Sequence, residues 1–209
     1  MVTIIVVAAV GYVLGSFPTG VWFGKLVRGI DLREHGSKSM GATNVFRVLG
    51  WKLAIIVLII DIAKGFFAAF IGSRINLGDI ALISYQLAMI AGLAAVGGHL
   101  FPMFANFKGG KGIATGAGLL LYLAPLELGF AVLVFILTVL ISRYVSLGSL
   151  LAATFFALSI LLERFYLDYP HGGEMIAFAV LIFVLVLITH RSNIKRLLDR
   201  NENKFGIRK

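Results

Sequence analysis

Three glycines and two lysines fall within the nine residues Phe107 to Thr115 (Phe-Lys-Gly-Gly-Lys-Gly-Ile-Ala-Thr), between two long apolar runs. Glycines let a backbone bring its N–H groups close to an anion, and a helix beginning near Ile113 adds the positive end of its dipole. Lys108 and Lys111 supply neutralising charge, so the segment is a candidate phosphate cradle at a membrane surface. The competing reading is a lipid-facing turn, in which the lysines snorkel to headgroups and the glycines only permit the bend. A Walker A loop is excluded, because the residue five before Gly110 is Ala105 and Lys111 is followed by Gly112 in place of Ser or Thr.

Four further polar groups carry side chains able to hold or activate a small anion. Asp31 to Asn44, followed by Arg47, combines glycines with Ser37, Ser39, Thr43 and Asn44, a mixture suited to a polar ligand; Asp31, Arg33 and His35 equally suit a solvated loop face. His99 to Phe107 is aromatic-rich and leads into the cradle; packing at headgroup depth accounts for its rings without a ligand. In Arg143 to Ser149, Ser146 is placed to cap a helix while Arg143 faces the headgroups. In His190 to Ile194 the imidazole ends a helix, where its protonated form interacts well with the dipole. Gly15-Ser16-Phe17-Pro18-Thr19 reads as a kink in which hydroxyls satisfy backbone groups freed by Pro18. Only Asp61 and Lys64 lie deep in apolar sequence. Three residues apart, they share a helix face as an ion pair tying the helix into the bundle or as direct participants in function.

The elements that must position these residues are membrane helices. With 59% hydrophobic residues, 14% charged residues and mean hydropathy +0.97 over 209 residues, the chain cannot bury its apolar surface in one water-soluble core. Candidate spans are Val2 to Gly24, Leu53 to Gly72, Ile80 to Gly98, Ile113 to Leu126, Leu128 to Ser142, Leu147 to Leu162 and Glu174 to Thr189. Read as one helix, Ile113 to Ser142 would run ~45 Å, too long for a ~30 Å hydrocarbon core, and would contain Pro125, Glu127 and Gly129. Seven spans with an external N-terminus place all but Lys64, Arg74 and Arg164 of the 19 Lys and Arg on the cytoplasmic side. Six spans would erase that bias.

The expected architecture is therefore all-α and polytopic, with about seven transmembrane helices and a cytoplasmic C-terminus. Residues 1–209 read as one domain without repeats, and 191–209 as a basic tail on the membrane surface. The first run lacks a basic n-region and a cleavage site, so it reads as a retained span. The net charge of +9 reflects the cytoplasmic excess beside anionic lipid, and no nucleic-acid partner is expected. Without Cys there is no disulfide, thiolate nucleophile or Cys-ligated metal, and four dispersed His argue against any metal site. All four polar groups emerge on one face under this topology.

Taken in order, Gly-Ser-x-Pro-Thr at 15–19, Gly-Ala-Thr-Asn at 41–44, Asp61 with Lys64-Gly65, the segment from His99 to Thr115, Ser146 with Ser149, and His190 with Asn193 resemble the acyl-phosphate:glycerol-3-phosphate acyltransferase (PlsY) family over residues 15–193. Where that family often has Gly-Asn, this chain has Lys38-Ser39, so the role of that Asn does not carry over and Ser39 offers a hydroxyl. The resemblance implies acyl transfer from acyl phosphate to the primary hydroxyl of glycerol 3-phosphate, giving lysophosphatidic acid and phosphate, the entry step of phospholipid synthesis. It implies a multi-pass protein of the bacterial inner membrane with a cytoplasmic active site and no cofactor. Membrane lipid surrounds it, and a soluble enzyme making acyl phosphate is an expected partner.

Under this resemblance Lys108, Lys111 and the amides of Gly109, Gly110 and Gly112 bind phosphate, with Lys111 nearer the reacting centre. Ser37, Ser39, Thr43, Asn44, Arg47, Arg143 and Ser146 hold the acceptor or the donor phosphate, Ser37 closest to the chemistry. His190, oriented by Asn193, assists proton transfer. Two other lipid-enzyme signatures are missing: no His is followed five residues later by Asp, and no Asp is followed by Gly. A transporter of a small phosphorylated anion is the alternative of another class, but the chain shows neither an internal repeat nor a midplane cluster beyond Asp61 and Lys64.

Overall fold

The computed structural model describes residues 1–167 and 172–206, so residues 207–209 of the basic tail lie outside the described residues. Among the described residues every regular element is helical. The chain forms two compact units, Met1–Leu123 and Ala124–Lys209. Among the described residues, five helical segments are long and apolar enough to cross a membrane: Val2–Arg28, Trp51–Gly72, Ser84–Ala105, Pro125–Ser142 and Val145–Tyr166. A sixth arises if Gly173–Thr189 and Arg191–Leu198, bent by 61°, count together. The protein is thus a multi-pass, all-helical membrane protein.

In the first unit the expected kink is a full break. Helix α1 (Val2–Gly15) stops before Pro18, whose ring and missing N–H cannot continue the ladder, and α2 (Thr19–Arg28) starts beyond it. Ser16 Oγ donates to Tyr12 O at 2.7 Å, so the hydroxyl satisfies the backbone as the sequence suggests. Helix α3 (Ala42–Leu49) occupies part of what reads as loop. Its Gly-, Ser- and Asn-rich surroundings hide an apolar i, i+3, i+4 pattern at Val45, Val48 and Leu49. Val45 and Leu32 are buried against Ala54 and Val57 of α4 (Trp51–Gly72), which fixes the segment between α2 and α4.

Helix α5 (Ser84–Leu100) packs on α1 and α4, and α4 also packs on α6 (Ile113–Leu123). The α4–α6 contact is backbone against backbone: a methyl on Gly65 would strike the Thr115 carbonyl, and one on Gly118 the Ile62 carbonyl. Small residues at such crossings let membrane helices approach closely. Helix α6 starts at Ile113 as expected but ends at Leu123, three residues before the expected Leu126, and spans only ~16 Å.

The second unit opens with α7 (Pro125–Ser142), which begins three residues before the expected Leu128. Pro125 does not interrupt it but occupies its first turn, where the missing N–H costs nothing. Phe130, Leu133, Leu137 and Ile141 along α7 are exposed, as suits lipid-facing side chains. Helix α7 packs on α8 (Val145–Tyr166), α8 on α9 (Gly173–Thr189), and the bent-off α10 (Arg191–Leu198) on both α8 and α9.

Candidate active site

Asn44 organises the polar loop of the first unit. It is 1% exposed, and its Oδ1 accepts the Ser37 N–H at 2.7 Å. Its Nδ2 shares two hydrogens among the carbonyls of Leu32 (3.0 Å), His35 (3.0 Å) and Ser39 (2.7 Å). Both ends of the amide are thereby committed, and its bonds hold the loop in shape. Ser37 and Ser39 are half-buried on that loop. Thr43 and Arg47, four residues apart on α3, share a helix face and are also half-buried.

Arg33 ties this loop to the lysine segment, a role that the reading of 31–35 as a solvated face misses. Its Nη2 pairs with Asp31 Oδ2 at 2.7 Å, while Nη1 donates to the carbonyls of Ala105 (2.7 Å) and Lys108 (3.3 Å). Hydrogen bonding to Arg33 holds the Asp31 carboxyl at about 2, and Asp31 in turn raises Arg33. The only sequence signal was an Asp-x-Arg spacing; the carbonyl acceptors lie over 70 residues away.

Residues 101–112 fold back on the end of α5. Tyr12 Oη donates to Phe101 O at 2.7 Å, and the Phe17 and Phe104 rings lie 5.3 Å apart. Asn106, Phe107 and Gly112 adopt left-handed backbone (φ 53°, 56° and 78°), and α6 follows at Ile113 as the sequence suggests. The Gly109 N–H donates to Leu100 O and the Gly110 N–H to His99 O, both at 3.1 Å. These bonds dock the segment onto α5, because a chain lying on a helix end meets its unpaired carbonyls first. Lys108 is exposed and Lys111 half-buried. The arrangement gives two cations and the start of α6 on a turn fixed from below by α5 and from the side by Arg33.

Beneath that turn lies a buried polar cluster. Lys64 Nζ is 2.7 Å from Asp61 Oδ1, 2.8 Å from Phe17 O and 3.3 Å from His99 Nδ1, and Thr19 Oγ1 donates to Asp61 Oδ1 at 3.0 Å. Asp61, Lys64 and His99 are 2%, 7% and 3% exposed, so the ion pair expected from their spacing is present and desolvated.

In the second unit, Arg143 is exposed and left-handed (φ 62°) at the end of α7, and its carbonyl accepts the Phe205 N–H at 2.7 Å. Ser146 lies inside the first turn of α8 and does not cap it, because α8 begins at Val145 with Tyr144 as the flanking residue. The Ser146 hydroxyl is buried without a hydrogen-bond partner. His190, 2% exposed, has Nδ1 2.9 Å from Val186 O. A carbonyl only accepts, so in the neutral ring Nδ1 carries the proton and Nε2 the lone pair, the form a proton acceptor needs. Asn193 donates to Glu202 Oε1 at 2.9 Å, and Glu202 also pairs with Arg196 at 2.8 Å. Glu202 escaped the sequence reading inside a basic tail. Among the described residues no three His, Asp or Glu gather to hold a metal ion.

The family model described as glycerol-3-phosphate acyltransferase matches residues 5–200. The chain is 41% identical to a glycerol-3-phosphate acyltransferase of Chlorobaculum tepidum, covering 99% of this chain and 98% of the relative. It is 39% identical to one of Chlorobium phaeobacteroides, covering 99% of each. Among solved structures it resembles PlsY (YgiH), an integral membrane glycerol 3-phosphate acyltransferase. The glycerol 3-phosphate form has a TM-score of 0.85 and 36% identity over 97% of this chain and 96% of that one. The lysophosphatidic acid form gives 0.82 and 35% over 97% and 95%.

Proposed function

We propose that this chain, which belongs to the glycerol-3-phosphate acyltransferase family, transfers a fatty acyl group from acyl phosphate to the primary hydroxyl of glycerol 3-phosphate. The observation that carries the reading is the pair of solved relatives, one with the acceptor and one with the acylated product. The hydroxyl oxygen attacks the acyl carbonyl carbon and forms the ester bond. The bond from that carbon to the phosphate oxygen breaks, and inorganic phosphate leaves with the electron pair. The hydroxyl proton passes to His190 or to a phosphate dianion. A mixed anhydride is already activated, so the protein has chiefly to neutralise phosphate, align the hydroxyl and accept or relay a proton.

In this reading Lys111 lies nearest the reacting centre. Lys108 and the Gly112 amide hold phosphate, while Gly109 and Gly110 shape the turn. Ser37, Ser39, Thr43 and Arg47, with Arg143 and Ser146, bind the acceptor or the donor phosphate, and Asn44 fixes the loop carrying Ser37 and Ser39. His190, supported by Asn193, takes part in proton transfer; the Nδ1 bond to Val186 O favours that role. The half-burial of Lys111, against the exposure of Lys108, favours Lys111 for the reacting centre.

The whole chain works as one acyltransferase domain of a bacterial inner membrane, crossing it seven times with the N-terminus outside and the active site and C-terminus in the cytoplasm. The distribution of Lys and Arg supports this orientation, with α6 as a short passage. A soluble enzyme supplies acyl phosphate from the cytoplasm. Phosphate release by the purified protein, given synthetic acyl phosphate with and without glycerol 3-phosphate, tests the reading. Release should depend on the acceptor and collapse in Lys111→Ala and His190→Ala; a His190→Ala protein at parental turnover would remove that residue from the mechanism.

A further inference from the structure

The buried cluster under the lysine segment is not used by the mechanism above, yet it holds ionic groups where they are costly. An ammonium has three N–H donors and no acceptor. Among the described residues Lys64 has three oxygen or nitrogen neighbours within 3.3 Å: Asp61 Oδ1, Phe17 O and His99 Nδ1. Each neighbour can therefore receive one proton, and His99 Nδ1 has to be the acceptor of the third. A ring accepting at Nδ1 carries its hydrogen at Nε2. Nε2 lies on the Gly110 side, where a methyl on Gly110 would run into it, and the His99 carbonyl accepts the Gly110 N–H at 3.1 Å. Two parts of one histidine thus meet the same glycine.

We propose that Asp61 and Lys64 are positioning residues acting through His99: Lys64, anchored by Asp61, fixes His99 as the Nε2–H tautomer with that edge against Gly110, and so holds residues 108–112 in register for a substrate phosphate. The inference rests on the proposed phosphate role of Lys108 and Lys111. Lys64 also caps Phe17 O, the carbonyl just before Pro18, so the α1–α2 break and the lysine segment share one anchor. Direct contact with substrate is not required of any of the three.

Full-length protein in detergent, labelled with 15N in histidine side chains, tests this without turnover; the His99 signals are those missing from His99→Gln. The proposal expects a single Nε2–H tautomer in the parent. Lys64→Met alone leaves Asp61 charged and unpaired and fails to fold if that charge is intolerable, so the decisive variant is Asp61→Asn with Lys64→Met, which removes both charges together. In the folded double variant His99 should populate both tautomers, and KM for acyl phosphate or glycerol 3-phosphate should rise about tenfold with kcat changed far less, as for loss of an outer support. A parent ring protonated at Nδ1, or a folded double variant with parental KM values, overturns the proposal. Were the parent to lack acyl transfer altogether, the proposed reaction would fail while the tautomer result still judged the cluster.

Discussion

Exchanging Asn44 for Asp changes one NH2 group into an oxygen, and the structure makes that change severe. The two amide hydrogens are shared among three carbonyls, and the amide oxygen accepts the Ser37 N–H. A neutral hydrogen bond contributes about 1 kcal/mol net, and a buried group left unpaired costs about 1–3 kcal/mol. In Asn44→Ala four partners lose their bond, but three of the four bonds are only part-buried, so water replaces much of what is lost there. The remaining cost is about 3 kcal/mol, roughly a hundredfold rise in opening of the 32–39 loop. Asn44→Asp keeps the acceptor for Ser37 but turns a carboxylate oxygen toward three carbonyl oxygens, so it should be at least as damaging as Ala. Hydrogen–deuterium exchange in micelles reads this directly: peptides covering 32–49 should lose protection in both variants while those covering 113–123 keep it. KM for glycerol 3-phosphate should rise with the loop's opening. Protection in Asn44→Asp within about threefold of the parent would refute the reasoning, because a side chain that only met solvent or substrate would tolerate the acid.

Three further outcomes are expected. Arg33→Ala should weaken phosphate affinity and Arg33→Lys should not restore it, since a point cation cannot hold Asp31 and two carbonyls in one plane; KM values of the two variants check this. Gly65→Ala or Gly118→Ala should destabilise the protein by about 3 kcal/mol through backbone collision between α4 and α6, read as a lower midpoint of thermal unfolding in detergent. The Asp31 carboxyl is depressed from 3.8 to about 2, so its contribution to loop order is complete above about pH 4 and is lost as pH falls toward and through about 2. Exchange protection of residues 31–39, corrected for intrinsic rate, should therefore be flat from pH 8 to about 5. Asp31→Asn should lower protection across that whole range.

The apolar runs made most of the helices legible, because a lipid solvent forces each crossing to be both helical and apolar. The errors share a cause. The break expected near Pro125 is present but falls at Ala124, so Pro125 and Glu127 sit in the first turn of α7, where a missing N–H is harmless. Helix α3 hid behind glycines and hydroxyl residues that cap and flank it. At the candidate site, the residue types are legible in the sequence, while their hydrogen-bond partners are not. Asn44 and the Gly109 and Gly110 amides look like ligand groups in sequence, yet neighbouring backbone carbonyls use their N–H donors. Arg33 and Glu202 work through partners that are visible only once the chain is folded.

The central claim is the reaction itself, and its most direct measurement is the lipid product. Purified protein should be given synthetic acyl phosphate and glycerol 3-phosphate, with acyl-CoA in a parallel reaction, and the products identified by mass spectrometry. Lysophosphatidic acid forming from acyl phosphate, with matching phosphate release and a large fall in Lys111→Ala but little change in Lys195→Ala, is the expected result. Folded protein yielding no lysophosphatidic acid from acyl phosphate would contradict the account, and formation from acyl-CoA alone would contradict the proposed donor.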